Sequence, residues 1–323
     1  LLHDKAKFSL PKISKEKITF GMESYKELKN FSPEVIEEIK GFAEGIKDKP
    51  EHVGAFLLSL GVFNTTGQCS VFAFRNNNAV VFGRNYDMLY QFKKFTESSL
   101  IGPKDKCAYI SQSDVFIGRS DGINEKGLAV AMSFVNGTKI QPGISFHFII
   151  RKVLEECEST EKAVDVILNT KVSSANNFLI ADKTGVLAVV ESCPQKAMVR
   201  KPNHHENFIT ITNQFQLSEM KKFDANGVEW SKSKERYEGL EKQLKNLEEI
   251  DLLKAKAILS DKCVCLDLKK QQFGTIWSVV SNLNTLTIER AETKPKVTNF
   301  KPETRLDWWL NKRDINLSNT MKK

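Results

Sequence analysis

One cysteine opens an apolar run that is followed closely by two charged side chains. The run CSVFAF begins at Cys69, and the next run, AVVFGRNYD, carries Arg84 and Asp87. A cysteine side chain can serve as a nucleophile, and a nucleophile of this kind needs a base within reach. The residues alone also fit a core thiol beside an ion pair at a strand end, so both interpretations remain open.

Two kinds of base could activate this thiol. Among the histidines, His147 in GISFHFII is the best placed, although an apolar helical run is typical of a core histidine. His204 and His205 lie in the loop KPNHHEN and are expected to be exposed. The other base is the α-amine that Cys69 would gain if the bond after Gln68 were broken. Its intrinsic pKa of ~7.7 to 8 is close to working pH.

Composition excludes several classes of function. The chain has 323 residues, of which 41% are hydrophobic and 27% charged, as in an ordinary globular protein. Its net charge of +8 comes from lysines spread along the length rather than from a basic and aromatic block, so no nucleic-acid partner is expected. No stretch approaches the ~20 apolar residues of a membrane span. The first residue is Leu1, so a leader could precede it and the compartment stays open.

The cysteines and glycines predict neither a metal site nor a cofactor. Six cysteines are too sparse for a disulfide scaffold, and Cys107, Cys157 and Cys193 are interpreted as core residues. Cys263 and Cys265 form a CxC pair, but the histidines have no metal-ligand spacing relative to it. No glycine-rich phosphate loop follows a strand, so nucleotide binding is not expected.

The elements that must position these residues change type at Cys69. Before it, Ser32 and Pro33 predict the start of one helix, and a second helix ends near Gly61. After it, hairpins are predicted in four stretches, which are CSVFAFRNNNAVVFGRN, DVFIGRSDGINEKGLAVAMSFV, NNFLIADKTGVLAVVES and FGTIWSVVSNLNTLTIERAE. Two helices are predicted between the second and third hairpins, and two charged helices before the fourth. The tail from Lys294 is predicted to be irregular. This order indicates an α+β fold of antiparallel sheet covered by helices.

Five of these stretches, in the same order, resemble one known group of enzymes. CSVFAF…VVFGRNYD, DGINEKGLAVAMSF, NFLIADKTGVLAVVE, ITITN and the half from SKSKERY to GTIWSVV are similar to the linear-amide C–N hydrolases of the N-terminal-nucleophile (Ntn) class. That group includes isopenicillin-N acyltransferase and the choloylglycine hydrolases. The likeness runs from about residue 30 to about residue 290. It implies a four-layer αββα sandwich of two antiparallel sheets flanked by helices.

The resemblance also implies a division of the chain by self-cleavage. Residues 1–68 would form a helical N-terminal segment, and residues 69–323 a catalytic domain released by cutting the Gln68–Cys69 bond. Relatives usually have glycine before this cysteine, whereas Gln68 stands here. Bile-salt hydrolases have an arginine on the C-terminal strand where this chain has Ile276 and Trp277, which favours the acyltransferase branch.

Each site residue receives a role by the same resemblance. Cys69 would be the nucleophile and, through its freed amine, the base. Asp87 would hold that amine, and Arg84 would lie beside the thiol. Asn213 would donate to the oxyanion together with a backbone N–H near Ser133. Three aromatic side chains are expected to line an apolar acyl pocket, namely Phe134, Phe215 and Trp277.

The expected function is therefore cleavage of a small N-acyl amide through an acyl-enzyme, with transfer of the acyl group to water or to an amine. Hydrolysis is preferred because water is always present. Two alternatives stay open. One is a histidine-assisted thiol hydrolase without processing, and the other is a non-catalytic binding protein on an Ntn scaffold. Oligomeric state is also open.

Overall fold

A computed structural model describes residues 10, 14–63, 67–77, 79–114 and 116–320. Its helices are α1 (Lys15–Phe31), α2 (Pro33–Ile46), α3 (Pro50–Ser59), α4 (Phe146–Glu156), α5 (Thr160–Leu168), α6 (Ser218–Lys221), α7 (Ser233–Lys245), α8 (Leu252–Ser260) and α9 (Arg305–Thr320). Its strands are β1 (Gln68–Arg75), β2 (Val80–Leu89), β3 (Glu97–Ile101), β4 (Tyr109–Ser113), β5 (Asp121–Asn124), β6 (Leu128–Phe134), β7 (Asn176–Asp182), β8 (Leu187–Cys193), β9 (Lys196–Arg200), β10 (Phe208–Ile211), β11 (Asp267–Leu268), β12 (Phe273–Asn282), β13 (Thr287–Ala291) and β14 (Lys301–Glu303).

The strands form two antiparallel sheets. The first has the order β10-β1-β2-β12-β13-β14, with β11 paired to β12, and the second runs from β3 to β9 in chain order. Side chains alternate between the two faces of a strand. In β1, Val71 and Ala73 therefore point into the core between the sheets, whereas Phe72 and Phe74 point outward. Cys69 shares the inward face.

Helices cover the outer face of each sheet. The helices α1 to α5 share a buried apolar cluster with the second sheet. The helices α7 and α8 pack on the first sheet, where Leu240 and Ile258 belong to the same buried apolar cluster as the outward phenylalanines of β1. The four layers are therefore helix, sheet, sheet and helix, which confirms the predicted αββα sandwich. No helix within the described ranges has the length and apolar character needed to cross a membrane.

The segment before Cys69 is part of this core. Leu28 of α1, Ile39 of α2 and Leu58 of α3 are fully buried in the cluster that also contains Ile150 of α4. A polar link crosses the same boundary, because Lys152 Nζ donates to the Phe31 carbonyl at 3.0 Å. The three helices are thus joined to the layer of the second sheet by side-chain packing as well as by the covalent chain.

Three of the four predicted hairpins, the helix that begins at Pro33 and the helix pairs are confirmed, although Asn78 of the first hairpin turn lies outside the described residues. Three departures are found. The prediction of an irregular tail is wrong, because β14 and α9 form there and Leu306 is buried at 1% exposure. For the second hairpin the sequence predicts a first strand in DVFIGRS and a turn in DGINEKG, whereas DGIN itself forms the first strand, β5, and pairs with β6. The elements α1, β3, β4, β9, α6 and β11 had not been predicted.

The close contact between α1 and α3 gives a test of the helical layer. A Cβ on Gly21 would overlap the Ala55 backbone, whereas a Cβ on the exposed Gly41 of α2 would meet nothing within 4 Å. We expect Gly21→Ala to lower the free energy of unfolding by about 1 to 3 kcal/mol through overpacking. Gly41→Ala is the matched control and should raise it by up to about 1 kcal/mol, because alanine is the better helix former. Urea unfolding measures both, and equal effects would contradict the close packing.

Candidate active site

Cys69 is the second residue of β1, and its side chain faces the core between the two sheets. In the ladder with β2 it faces Tyr86, while its neighbour Gln68 faces Asp87 and Val71 faces Arg84. This register brings the arginine and the thiol to one face, because paired residues point the same way. Arg84 Nη2 donates to Cys69 Sγ at 3.2 Å, and both side chains are buried.

Arg84 lies on β2 of the first sheet, and its side chain also bonds to residues of the second sheet. Its Nη1 forms an ion pair with Asp121 Oδ2 at 2.8 Å and donates to the Ser120 carbonyl at 2.9 Å. Burial raises the pKa of the Cys69 thiol, and Arg84 offsets only part of this effect. The thiol is therefore protonated at neutral pH, and a thiolate would form only with a base to take the proton.

Asp87 lies beside the backbone of Cys69, on the outward face of the sheet. Its Oδ1 accepts a hydrogen bond from Thr275 Oγ1 at 2.6 Å. Its Oδ2 is buried without a hydrogen-bond partner among the described residues, and Arg236 Nη1 lies 3.7 Å from it. Burial raises the pKa of Asp87 to about 6. One carboxylate oxygen is thus free to accept another donor near Cys69.

Asn213 follows β10 and contacts Cys69 through its side chain. Its Oδ1 accepts from the Cys69 backbone N–H at 3.1 Å, and its Nδ2 donates to the Phe134 carbonyl at 2.9 Å. Arg236 of α7 donates from Nη2 to the same Oδ1 at 2.9 Å and from Nη1 to the Cys69 carbonyl at 2.6 Å. Asn213 and Arg236 therefore fix both backbone groups of Cys69.

The bond before Cys69 is also buried and held. Gln68 is 1% exposed, and its Oε1 accepts from Ser231 Oγ at 2.8 Å. Arg236 Nη2 lies 3.4 Å from the same oxygen. The Gln68 side chain is thus anchored on the helix side of the sheet, which orients the peptide bond that would be cut.

A cavity of about 360 Å³ opens beside the thiol. Its wall includes Cys69 and is mostly apolar, with Leu60, Met88, Leu89, Phe92, Met132, Phe134 and Phe146, and it includes the polar residues Tyr86, Asp114, Ser120 and His147. Leu60, Gly61 and Gly67 come from the segment before Cys69, so that segment forms part of the wall. The space beside the Cys69 thiol therefore favours an apolar group.

Of the four predicted binding residues, Phe134 lines this cavity and the other three lie outside its wall. Ser133 is buried behind it and donates from Oγ to the Thr212 carbonyl. Trp277 stacks on Tyr86 with ring centroids 5.1 Å apart, one side chain further from the space. Phe215 belongs to a separate cluster with Val135. Phe134 therefore shares the cavity with Cys69, whereas the prediction that Phe215 lines the same pocket is wrong because its side chain packs in the other cluster.

The histidines are divided between core and surface. His147 is 3% exposed and lines the cavity, with Nδ1 3.0 Å from Ser145 Oγ. Burial lowers its pKa to about 4. His204 and His205 are exposed, as predicted.

Three charged residues of the site had not been predicted, namely Arg236, Asp121 and Asp114. Arg236 lies in the charged run SKSKERYEG, where most neighbours are solvated and its own full burial has no signature in the sequence. Asp121 and Asp114 lie on stretches that had been interpreted only as strand and turn. Within the described ranges, no group of three or more His, Cys, Asp or Glu side chains could hold a metal ion.

Comparison with known proteins identifies the family. The model for the acyl-coenzyme A:6-aminopenicillanic acid acyl-transferase family matches residues 74–296. The chain belongs to this family. The match spans more than half of the chain and agrees with the resemblance found in the sequence motifs. No curated protein sequence matches the chain.

Solved structures support the fold of this acyl-transferase family member. Penicillin V acylase from Agrobacterium tumefaciens is 17% identical with a TM-score of 0.52, covering 69% of this chain and 83% of its own. The Caenorhabditis elegans ortholog of N-acylethanolamine-hydrolyzing acid amidase is 19% identical with a TM-score of 0.52, covering 67% and 93%. A mutant conjugated bile acid hydrolase from Clostridium perfringens is 18% identical with a TM-score of 0.52, covering 73% and 96%. The shared architecture is the Ntn-hydrolase fold.

The raised pKa of Asp87 predicts a pH-dependent cost to stability. An acid that titrates near 3.8 when unfolded and at about 6 when folded destabilises the fold as pH rises between these values. In a Cys69→Ala background, which removes the thiol, we expect Asp87→Asn to raise the free energy of unfolding by about 1 to 3 kcal/mol at pH 7.5. The gain should shrink as pH falls below 6. Denaturant unfolding across this range measures it, and a gain that does not vary with pH would contradict the assignment.

Proposed function

We propose that the protein is a self-processing amidohydrolase whose nucleophile is Cys69, made N-terminal by cleavage of the Gln68–Cys69 bond. The observation that carries the proposal is the pair of contacts on this residue. Its Sγ accepts from Arg84, and its backbone N–H donates to Asn213 Oδ1. The thiol and the future α-amine are thus both oriented at the wall of a cavity. Residues 1–68 and 69–323 would then be the two chains of the mature protein.

Self-cleavage in this proposal is an N-to-S acyl shift. Cys69 Sγ bonds to the carbonyl carbon of Gln68, the C–N bond breaks, and the thiol proton passes to the departing nitrogen. The product is a thioester between Gln68 and Cys69 Sγ, with a free α-amine on Cys69. Water then hydrolyses the thioester, which restores the thiol and leaves a carboxylate on Gln68. The hold of Ser231 on the Gln68 side chain supports this step, because it limits movement of the attacked carbonyl.

The mature site would use the freed amine as its base. An α-amine with a pKa of ~7.7 to 8 can take the thiol proton near neutral pH. Asp87 Oδ2, which lacks a hydrogen-bond partner among the described residues, would accept from that amine. Arg84 would stabilise the thiolate as it attacks the substrate amide carbonyl. The amine then gives its proton to the leaving amine, and water or a second amine takes the acyl group.

The oxyanion of the tetrahedral intermediate needs donors close to the thiol. The Asn213 amide has two N–H donors, of which one bonds to the Phe134 carbonyl. We expect the second to face the oxyanion, together with a backbone N–H near Ser133. A donor of this kind contributes ~3 kcal/mol to the transition state. Arg236 is a positioning residue in this scheme, because it orients Asn213 through Oδ1.

The relatives support an amide substrate. They are, by name, an acyl-transferase family, a penicillin V acylase, an N-acylethanolamine-hydrolyzing acid amidase and a conjugated bile acid hydrolase. The apolar wall of the cavity favours an apolar acyl group. We therefore propose a small N-acyl amide as the substrate, with hydrolysis as the main reaction and transfer to an amine as the second.

Self-cleavage can be tested by intact-mass spectrometry of the purified protein. We expect wild-type protein to yield a fragment that starts at Cys69, and Cys69→Ala to remain one chain because it lacks the attacking sulfur. Cys193→Ala removes another buried thiol, in a separate cluster, and should be cut normally. A full-length wild-type chain that persists under native conditions would argue against processing and favour a binding protein on this scaffold.

A histidine-assisted thiol hydrolase is the second candidate, because His147 lines the same cavity as Cys69. The lowered pKa of about 4 makes it a weak base at neutral pH, and the thiol receives its hydrogen bond from Arg84 instead. We expect His147→Gln to retain self-cleavage and thiol-dependent hydrolysis of an uncharged fatty acid amide. Loss of that hydrolysis with intact cleavage would favour the histidine mechanism over the amine.

A further inference from the structure

The cavity beside Cys69 has one polar corner, formed by Tyr86, Asp114 and His147. Tyr86 Oη donates to Asp114 Oδ2 at 2.6 Å. The other carboxylate oxygen, Oδ1, lies 4.0 Å from His147 Nε2, which is too far for a direct hydrogen bond. Two polar atoms therefore face each other across a gap on an otherwise apolar wall.

The charge of Asp114 is not offset within this corner. Across the part of the chain that the structure describes, the only basic side chain within ion-pair distance of it is His147. That imidazole is neutral at pH 7, because burial lowers its pKa to about 4. The guanidinium of Arg84, which lies over the Tyr86 ring, is already paired with Asp121. A carboxylate in an apolar cavity with no cation of its own favours a ligand that supplies one.

We propose that this corner binds a protonated primary amine carried by the substrate, with Asp114 Oδ1 and His147 Nε2 as its two acceptors. The inference rests on the proposed function for the identity of the substrate. An ammonium group has three donors, so it can bond to both atoms across the gap. His147 Nε2 is an acceptor when Nδ1 carries the proton, and Ser145 Oγ lies 3.0 Å from Nδ1 to accept it.

The amine half of the substrate is the half that reaches this corner. Cys69 and Tyr86 are cross-strand partners with side chains on one face, so the Tyr86 hydroxyl leads from the thiol to Asp114. The acyl chain is the apolar half of such an amide and takes the apolar wall around Leu89 and Phe92. Asp114 and His147 are thus specificity-determining residues for a cationic leaving amine.

Binding of n-butylammonium and of 1-butanol to the wild-type protein tests the corner without any reaction. Calorimetry should give a dissociation constant for the ammonium at least about tenfold below that for the alcohol, as expected of a hydrogen-bonded charge. Asp114→Asn should remove this preference, while its amide oxygen can still accept from Tyr86. Asp267→Asn is the matched control, because Asp267 accepts from the Tyr90 hydroxyl at 2.8 Å but does not line the cavity. Equal affinity for ammonium and alcohol would overturn the proposal.

Hydrolysis of three amides of one fatty acid tests the same corner in catalysis. They are the N-(2-aminoethyl), N-(2-hydroxyethyl) and N-propyl amides, which differ only in the leaving amine. We expect kcat/KM for the aminoethyl amide to exceed that for the propyl amide by about 10- to 100-fold in the wild type, and by little in Asp114→Asn. Preference for the hydroxyethyl amide, or none at all, would overturn the cationic assignment. Selective ammonium binding without hydrolysis of any amide would instead refute the proposed function alone.

Discussion

Two arginines are buried in the middle of the molecule, and the surrounding structure must supply partners for both charges. Arg84 and Arg236 are both almost fully enclosed, and a charge removed from water must be paired or hydrogen-bonded. Arg84 is satisfied by Asp121 and the Ser120 carbonyl of the second sheet. Arg236 is satisfied by backbone and amide oxygens around Cys69. One cation therefore ties the two sheets together, and the other ties helix α7 to the end of β1.

This pairing also fixes Cys69 within the structure. The two guanidinium groups approach Cys69 from opposite sides of its sheet, one at the thiol and one at the carbonyl. Asp87 lies between them with one oxygen unused. The Asp87 pKa of about 6 reflects two opposing effects. Burial favours the neutral acid, and the arginines favour the carboxylate.

The fold was largely predictable from local patterns. Short apolar runs in β1 and β12 and turn residues between strands predict hairpins, and these sequence-local pairs formed as expected. The tail was mispredicted because its order depends on distant partners. Arg305 of α9 donates to the Ser98 carbonyl of β3, and Trp309 packs against Gly102. Polar, charged segments of this kind fold on a surface that the sequence does not reveal.

The site was predictable only where its residues lie in recognisable sequence motifs. Cys69, Arg84 and Asp87 lie on one hairpin, so their proximity follows from strand pairing. Asn213 and Arg236 meet Cys69 from far along the chain, and only the motif ITITN gave a signal for the first. Nothing in a lysine- and glutamate-rich helix distinguishes the one arginine that turns inward. Tertiary burial, rather than residue type, decides which charge belongs to the site.

The proposed cleavage site lies within the sheet, and this position would have a kinetic consequence. Gln68 is the first residue of β1, is paired with Asp87, and its side chain is anchored by Ser231. Cleavage after it would leave a new carboxylate held in the ladder, next to the amine from which it was separated. That end would act as a tethered product inhibitor. Cleavage and activation would then be separate events. The delay between them would be set by the rate at which the last residues of the first chain dissociate from β2.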